Sequence, residues 1–475
     1  MTLDKIVRGI YVFLIAAVVF GITVKVYRTS EFLELQFLVW TCILLFLFFV
    51  LLIALFLSQQ KRQHLLLVGI SVTFSIYLVE AILVWWIPFE SFADAPTWWV
   101  AKEEGRSFDK RSKIEVVIDE QRAGRNTFPS VIPDQVRGAL LNKGQRIVPL
   151  GGIANQRVVT CNESGEWVFI NTDEHGFNNP TGSFESTPID ALLIGDSYAF
   201  GECVQQSDTI AGNLRAKNIK AVSLGYGGAG PLYELAVLSE YGPILHPRHV
   251  FWLYFDRNDP LDLQEETGDK NSFLKRYYTD GYTQNLVDRQ DEIDIVLRRY
   301  VRNIIRDETT MLEATIESRK ELEVWLINHF KWLHRYENSR PMRFLKLWRL
   351  RSVIFGQDLV RTYIEDRQPK VGENLKTTLL MAKRRVTGWG GKLIFVYLSD
   401  RARHLKWRSD NWRQRKTVLS MAEDLQLPII DIAGIWEQHN DPMPFFAHGR
   451  GSHYTKEGYL FVANQMVQAI NGFKN

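Results

Sequence analysis

The segment from Leu35 to Gln60 is an uncharged run of 26 residues, and it constrains the fold more than any other feature of the sequence. A helix that crosses the apolar part of a bilayer needs about 20 apolar residues. Two similar segments flank it, Gly9–Val24 without a charge and Leu65–Pro88 with Glu80 as its one charge. The sequence therefore predicts three membrane-spanning helices, at 9–27, 35–58 and 65–88.

The charges beside these segments predict their orientation. A cleaved signal peptide is the alternative for the first segment, but no small-residue cleavage site precedes Lys25 and two further spans follow. With three spans, one side of the membrane would carry four basic residues, Lys5, Arg8, Lys61 and Arg62. The other side would carry two, Lys25 and Arg28. The positive-inside rule then places the N-terminus in the cytoplasm and the large domain after Pro88 outside it.

Glu80 is the one carboxylate within the third segment, where a charge is costly. One interpretation is a polar contact with another membrane protein. The other is a helix that enters the bilayer obliquely and leaves Glu80 near water.

Composition excludes several classes of protein. The chain has 475 residues, of which 46% are hydrophobic and 23% charged, so it is neither disordered nor collagen-like. Its 57 Lys and Arg against 54 Asp and Glu leave a net charge of +3, too small to indicate nucleic acid as a partner.

The chain has three cysteines. Cys42 lies in the second predicted span, where it is expected to be a small buried apolar residue. Cys161 and Cys203 both lie in the polar domain, and an oxidising compartment favours a disulfide between them. Two free thiols are the alternative. The cysteine and histidine spacing indicates no metal site.

Apolar runs and helical stretches alternate after residue 186. The strand-like runs are Ala191–Ile194, Lys220–Leu224, His249–Phe255, Lys392–Leu398 and Pro428–Ile432. Helices are expected at 207–217, 231–241, 372–387, 411–425 and 455–470. This alternation is typical of a parallel sheet covered by helices on both faces, with functional groups at the carboxyl ends of the strands.

Five segments follow from this pattern. They are a membrane anchor at 1–90, a loop-rich β extension at 91–185, the first part of the α/β core at 186–264, a helical insertion at 265–370 and the second part of the core at 371–475. In the extension, Glu115–Ile118 and Trp167–Ile170 are strand-like. In the insertion, 340–351 interleaves basic and apolar residues. That helix is expected either to pack its apolar stripe on the core or to lie on an anionic surface.

Four short blocks follow the predicted strands in order. The first strand ends in Gly195-Asp196-Ser197, which exposes a serine at the carboxyl edge of the sheet. A glycine-rich loop that contains Gly228 follows the second strand, and Asn258 follows the third. His453 precedes the last helix and is placed to take a proton from a serine. Backbone N–H groups and an asparagine amide are suitable donors for an oxyanion.

This ordered set resembles the SGNH, or GDSL-type, hydrolase superfamily, over about 187–262 and 390–470. The resemblance implies a flavodoxin-like domain with a parallel five-stranded sheet, Ser197 as nucleophile and His453 as base. It also implies an oxyanion hole made by the N–H groups of Ser197 and Gly228 and the side chain of Asn258. The context of Ser197 is similar to the membrane-anchored bacterial branch, whose relatives often accompany envelope or exopolysaccharide genes.

One departure from the family pattern concerns the acid of the triad. The family usually has an aspartate two or three residues before the histidine, and here Arg450 and Gly451 hold those places. Asp441 is one candidate to replace it. A backbone carbonyl that holds the imidazole and a Ser–His dyad are the others.

The sequence therefore favours an esterase or O-acyltransferase in a bacterial inner membrane, with its catalytic domain facing the periplasm or the cell exterior. Its expected substrate is an envelope polysaccharide or a lipid-linked glycan, and its expected surroundings are membrane lipid. A catalytically weak glycan-binding or scaffold subunit is the first alternative, and a phospholipase is the second. The Gly225–Gly230 run lacks the Lys and Ser or Thr of a phosphate-binding loop, and no metal-ligand spacing stands out. No cofactor and no metal are therefore expected.

Overall fold

The computed structural model describes most of the chain. The described residues are 3–28, 35–86, 101, 105–131, 147–185, 187–255, 257–268, 273–306, 344–345, 347, 350, 371–404, 414–449 and 452–472. Two compact units are present. One comprises Met1–Phe89 with His329–Phe355, and the other comprises Glu90–Asn328 with Gly356–Asn475.

Three helices form at the predicted apolar segments of the first unit, α1 (Leu3–Arg28), α2 (Leu35–Phe56) and α3 (Gln59–Trp86). Within the described residues, one stretch, Gln59–Leu83 of α3, is long and apolar enough to cross a membrane. The prediction of three spans is therefore not confirmed, although all three segments are helical.

Glu80 has a partner within its own unit. Its side chain is buried, and Oε2 accepts a hydrogen bond from the backbone N–H of Leu350 at 2.6 Å. Nearby, the ring of Tyr77 packs against that of Phe344 at 5.4 Å, and its hydroxyl donates to Leu345 O at 2.9 Å. The described part of the 340–351 segment therefore contacts α3, and a contact of Glu80 with another membrane protein stays a prediction.

Within its described residues, the extension contains a helix and a small sheet that precede the main fold. The elements are α4 (Lys113–Arg122), β1 (Thr127–Pro129), β2 (Arg157–Val159) and β3 (Phe169–Asn171). β1 pairs with β2 in parallel, and β2 pairs with β3 in antiparallel fashion.

The strand expected at Glu115–Ile118 is wrong, because this stretch lies in α4. A capping box begins the helix: the Ser112 side chain accepts from the Glu115 N–H, and the Glu115 carboxylate accepts from the Ser112 N–H. This reciprocal pair satisfies backbone donors that a helix start leaves open. The local cap thus outweighs the β propensity of Val116 and Val117.

The second unit contains the predicted parallel five-stranded sheet, with helices between its strands. Its strands are β4 (Ala191–Ile194), β5 (Ala221–Ser223), β6 (His249–Tyr254), β7 (Lys392–Tyr397) and β8 (Ile429–Asp431), in the spatial order β5-β4-β6-β7-β8. The helices are α5 (Ser197–Phe200), α6 (Ile210–Arg215), α7 (Pro231–Leu245), α8 (Asp259–Thr267), α9 (290–306), α10 (Glu373–Gly388), α11 (Arg415–Asp424), α12 (Ile432–Glu437) and α13 (Lys456–Gly472). The α/β class with a parallel sheet is confirmed.

Both faces of this sheet are buried, as expected when alternate side chains of a strand point to opposite faces. On β6, Trp252 and Tyr254 join the core that contains α7 and α10. Phe251 and Leu253 join the other core, which contains α6 and α13. Helix α9, in the predicted insertion, buries Leu297 in the first of these cores.

The side chain of Asn179, in the extension, pairs with the backbone N–H and C=O at the outer edge of β5. Its Nδ2 donates to Ser223 O at 2.8 Å, and its Oδ1 accepts from Ser223 N at 2.8 Å. Nδ2 also donates to the buried carboxylate of Asp173 at 2.8 Å. The side chain therefore takes the place of a neighbouring strand at this edge of the sheet.

We expect Asn179→Ala to lower the free energy of unfolding by about 2–4 kcal/mol, because it leaves a buried N–H and carbonyl without partners. Chemical denaturation of the full chain in detergent measures this change. Asn171→Ala is the matched control, since the Asn171 side chain is exposed and such changes stay within about 0.5 kcal/mol. Equal losses in the two variants would contradict the role of Asn179.

Candidate active site

Ser197 begins α5 directly after β4, at the carboxyl edge of the sheet. Asp196 is the N-cap of this short helix, and its Oδ1 accepts from the Tyr198 N–H at 2.9 Å. The glycine-rich loop after β5 approaches the helix closely: a Cβ on Gly225 would lie 2.4 Å from Phe200 N. This close approach allows only glycine at position 225 and places the loop beside Ser197.

His453 lies within hydrogen-bond distance of the serine. Its Nε2 is 2.9 Å from Ser197 Oγ, although the two residues are 256 positions apart. His453 precedes α13, and its ring lies 5.4 Å from that of Tyr198. The structure thus brings together the predicted nucleophile and the predicted base.

The carboxylate that orients the imidazole is Glu163. His453 Nδ1 is 2.9 Å from Glu163 Oε1, and the His453 N–H donates to Oε2 at 3.0 Å. The hydroxyl of Ser452 also donates to Oε1, at 2.5 Å. Asp441 does not hold this position: it is exposed, and its Oδ1 accepts from the Met443 N–H. The acid predicted from sequence is therefore corrected to Glu163.

The charges of this pair support the same assignment. Burial would raise the pKa of Glu163, but the hydrogen bonds from His453 and Ser452 outweigh burial and lower the pKa to about 2. Burial would lower the pKa of His453, yet the bond and charge of Glu163 raise that pKa above its ordinary value. Glu163 is therefore ionised at neutral pH and stabilises the imidazolium formed when His453 takes a proton.

Glu163 lies in the loop between β2 and β3, outside the α/β core. Thr160 N donates to Val168 O at 2.9 Å, and Val168 N donates to Cys161 O at 3.0 Å, so the loop closes as a hairpin. Sequence reasoning missed Glu163 because its loop carries no motif. The available signal was Cys161 two residues earlier, since its predicted bond to Cys203 brings this loop to the site.

The predicted disulfide between Cys161 and Cys203 is present, with their Cα atoms 4.9 Å apart. Cys203 Sγ also lies 3.4 Å from His453 Nδ1. The donor atoms of Cys161, Glu163, Cys203 and His453 lie within 4.8 Å of one another, a spacing that suits a metal ion. Both sulfurs are joined in the disulfide, however, so neither is the thiolate that a metal requires.

The predicted oxyanion donors differ in their availability. Within the described part of the chain, the structure gives the N–H groups of Ser197 and Gly228 no partner. Asn258 Nδ2 donates to Asp196 Oδ2 at 3.1 Å and to Asp262 Oδ2 at 3.0 Å. Both amide hydrogens of Asn258 are engaged, so donation to an oxyanion requires one of these bonds to open.

Buried carboxyl groups surround Asn258. Burial raises the pKa of Asp196 and, further, the pKa of Asp259 and Glu234. Burial thus opposes the charged forms of these three carboxyls. A weaker negative charge there reduces the repulsion of an oxyanion.

Comparison with known proteins gives structural neighbours alone. No family model matches the sequence, and no curated protein is significantly similar to it. The chain is similar to a lipase/acylhydrolase from Enterococcus faecalis, with 14% identity and a TM-score of 0.31 over 60% of this chain and 96% of that one.

Two further solved structures are of the same kind. A GDSL-like lipase from Bacteroides thetaiotaomicron has 12% identity and a TM-score of 0.28, over 60% of this chain and 89% of that one. An acetyl xylan esterase has 11% identity and a TM-score of 0.27, over 59% of this chain and 99% of that one. The three structural neighbours carry the names lipase/acylhydrolase, GDSL-like lipase and acetyl xylan esterase.

Glu163→Gln is expected to change both the rate and its pH dependence. In the wild type, kcat/KM for a short-chain p-nitrophenyl ester should rise with pH as His453 loses its proton, with an apparent pKa above the ordinary imidazole value. The amide removes the Glu163 charge, which raises this pKa more than Glu202 and Asp196 do, and it leaves burial, which lowers the pKa. The acid limb should therefore move to lower pH, while kcat falls about 10²- to 10⁴-fold.

The matched control for this pH–rate profile is Asp441→Asn, which should leave both quantities unchanged. A Glu163→Gln enzyme with the wild-type profile, or an Asp441→Asn enzyme with a shifted one, would show that Glu163 is not the acid.

Proposed function

We propose that the protein is a serine esterase or O-acyltransferase that works through an acyl-enzyme on Ser197. The observation that carries this proposal is the chain of two 2.9 Å contacts from Ser197 Oγ through His453 to Glu163. A serine is a weak nucleophile until an adjacent base takes its proton, and the base needs a partner that fixes its tautomer. This arrangement supplies both.

The proposed reaction has two halves. Ser197 Oγ attacks the carbonyl carbon of an ester while His453 Nε2 takes the serine proton, and Glu163 stabilises the imidazolium. The N–H groups of Ser197 and Gly228 receive the oxyanion, and the leaving alcohol takes the proton from His453. In the second half, His453 takes a proton from water or a sugar hydroxyl, which attacks the acyl group. The bond between the acyl carbon and Ser197 Oγ breaks, and His453 returns the proton to Oγ.

The proposed substrate is an ester on a cell-envelope or extracellular polysaccharide, or on a lipid-linked glycan. The candidate membrane helix Gln59–Leu83 supports a location at the membrane, where a long or lipid-linked substrate is accessible. The disulfide supports an oxidising compartment, as expected for a domain that faces the periplasm or cell exterior. A multi-pass anchor in the inner membrane belongs to the same proposal.

The scaffold alternative was supported by the missing triad acid, together with Glu80 in the third apolar segment and the basic helical insertion. Glu163 now occupies the place of that acid against His453 Nδ1, so the observation that favoured a weak or inactive site no longer supports it.

Covalent labelling tests whether the serine is activated. The detergent-purified wild type should react with a fluorophosphonate probe, and Ser197→Ala should not react at all. His453→Ala should label at a rate lower by about 10³-fold or more, because the serine has lost its base. Labelling that survives Ser197→Ala, or a folded wild type that does not react, would refute the proposed mechanism.

Loss of function in the cell tests the glycan substrate. A strain that carries Ser197→Ala in place of the wild type should show an altered content of O-linked acyl groups on its envelope polysaccharide, measured after mild alkaline release. Ser399→Ala is a suitable control, since that serine follows β7 and its hydroxyl pairs with His404. Unchanged polysaccharide acylation, together with fatty acid release from phospholipid vesicles, would favour a phospholipase instead.

A further inference from the structure

We propose that the Cys161–Cys203 disulfide is a positioning device for the Glu163 carboxylate. Through this carboxylate it controls the basicity of His453 and therefore the reactivity of Ser197. The inference rests on the proposed function, because it concerns how the same serine is activated.

The disulfide joins the loop of the acid to the loop of the nucleophile. Cys161 is two residues before Glu163, and Cys203 is six residues after Ser197. The loop around Cys203 is itself held, because the Glu202 N–H donates to Ser197 O at 2.9 Å. The Tyr459 hydroxyl of α13 also donates to Glu202 O at 2.9 Å. One end of the bond is therefore anchored to the catalytic core.

The other end of the disulfide is Cys161, which lies in a loop outside that core. Asn162 Nδ2 donates to Asp109 O at 2.7 Å, and Asp109 N donates to Gly165 O at 2.8 Å, so these bonds tie the hairpin to the extension. Among the described residues, the Glu163 carboxylate contacts the core through its hydrogen bonds with Ser452 and His453. The disulfide adds a covalent link next to them, and it limits how far the carboxylate can move from the imidazole.

Reduction would change this arrangement through a balanced exchange. A dithiol reductant attacks the disulfide, the S–S bond breaks, both cysteines become thiols, and the reductant becomes a disulfide. The freed Cys203 sulfur would lie near His453 Nδ1, from which it is 3.4 Å in the oxidised protein. As a thiol or thiolate, it would compete with Glu163 for the imidazole.

The test compares the Cys161→Ser/Cys203→Ser double variant with the wild type, each with and without Glu163→Gln. Serine keeps the Cβ and the approximate size of cysteine, which matters at Cys203 because its φ is +69°. With Glu163 present, loss of the disulfide should lower kcat for a short-chain p-nitrophenyl ester about 10- to 100-fold, with KM unchanged within about twofold. With Gln at position 163, the same loss should change kcat by less than about twofold.

The lack of additivity separates positioning from general destabilisation. Equal losses in both backgrounds, or wild-type kcat in the double cysteine variant, would overturn the proposal. An unreactive wild type would instead refute the proposed function, so the two failures are distinguishable.

Reduction of the folded wild type also compares the protein with and without the disulfide, and it leaves Cys161 and Cys203 unsubstituted. Dithiothreitol, with a chelator present to keep trace metal from the freed thiols, should slow fluorophosphonate labelling of the wild type and of Cys42→Ser about 10- to 100-fold. It should leave Glu163→Gln labelling unchanged. Unfolding of the wild type on reduction, seen by circular dichroism, would overturn the proposal, because the bond would then support the fold as a whole.

Discussion

The contact between Glu163 and His453 is the interaction on which the site depends, because it joins the β2–β3 hairpin of the extension to the loop before α13. The two residues are 290 positions apart, and the serine lies between them in sequence. Without this carboxylate, the imidazole beside Ser197 would have a lower pKa than it has here and an unfixed tautomer. The carboxylate changes both properties, and it does so from a hairpin outside the α/β core.

The parallel sheet provides the other half of the constraint. Parallel strands end at one edge, and the loops after β4, β5 and β6 therefore bring Ser197, Gly228 and Asn258 to that edge. Asp196 connects two of these loops, since it caps α5 and accepts from the Asn258 amide. The extension is also needed at the outer edge of the sheet, where Asn179 pairs with Ser223 of the edge strand β5.

Much of this arrangement could be predicted from local pattern. All five core strands and the parallel order follow from apolar runs that alternate with helical stretches, and the Ser197 and His453 positions follow from blocks placed after those strands. The one misassigned stretch, Glu115–Ile118, has β-branched residues that favour a strand, whereas the capping pair Ser112 and Glu115 begins a helix. The periodicity of apolar residues does not show whether a helix cap outweighs β propensity, because the cap is a specific hydrogen-bonded geometry.

By itself, the sequence predicted the fold class, Ser197 and His453 as nucleophile and base, the glycine-rich loop and the two cysteines able to pair, since each depends on short-range pattern and residue chemistry. The tertiary structure alone decided which carboxylate lies against His453. Asp441 is close to His453 in sequence yet exposed and directed to a backbone N–H, whereas Glu163 is remote in sequence and in contact. The physical reason is that a carboxylate acts on an imidazole through distance and burial, and both are set by how the extension packs on the core.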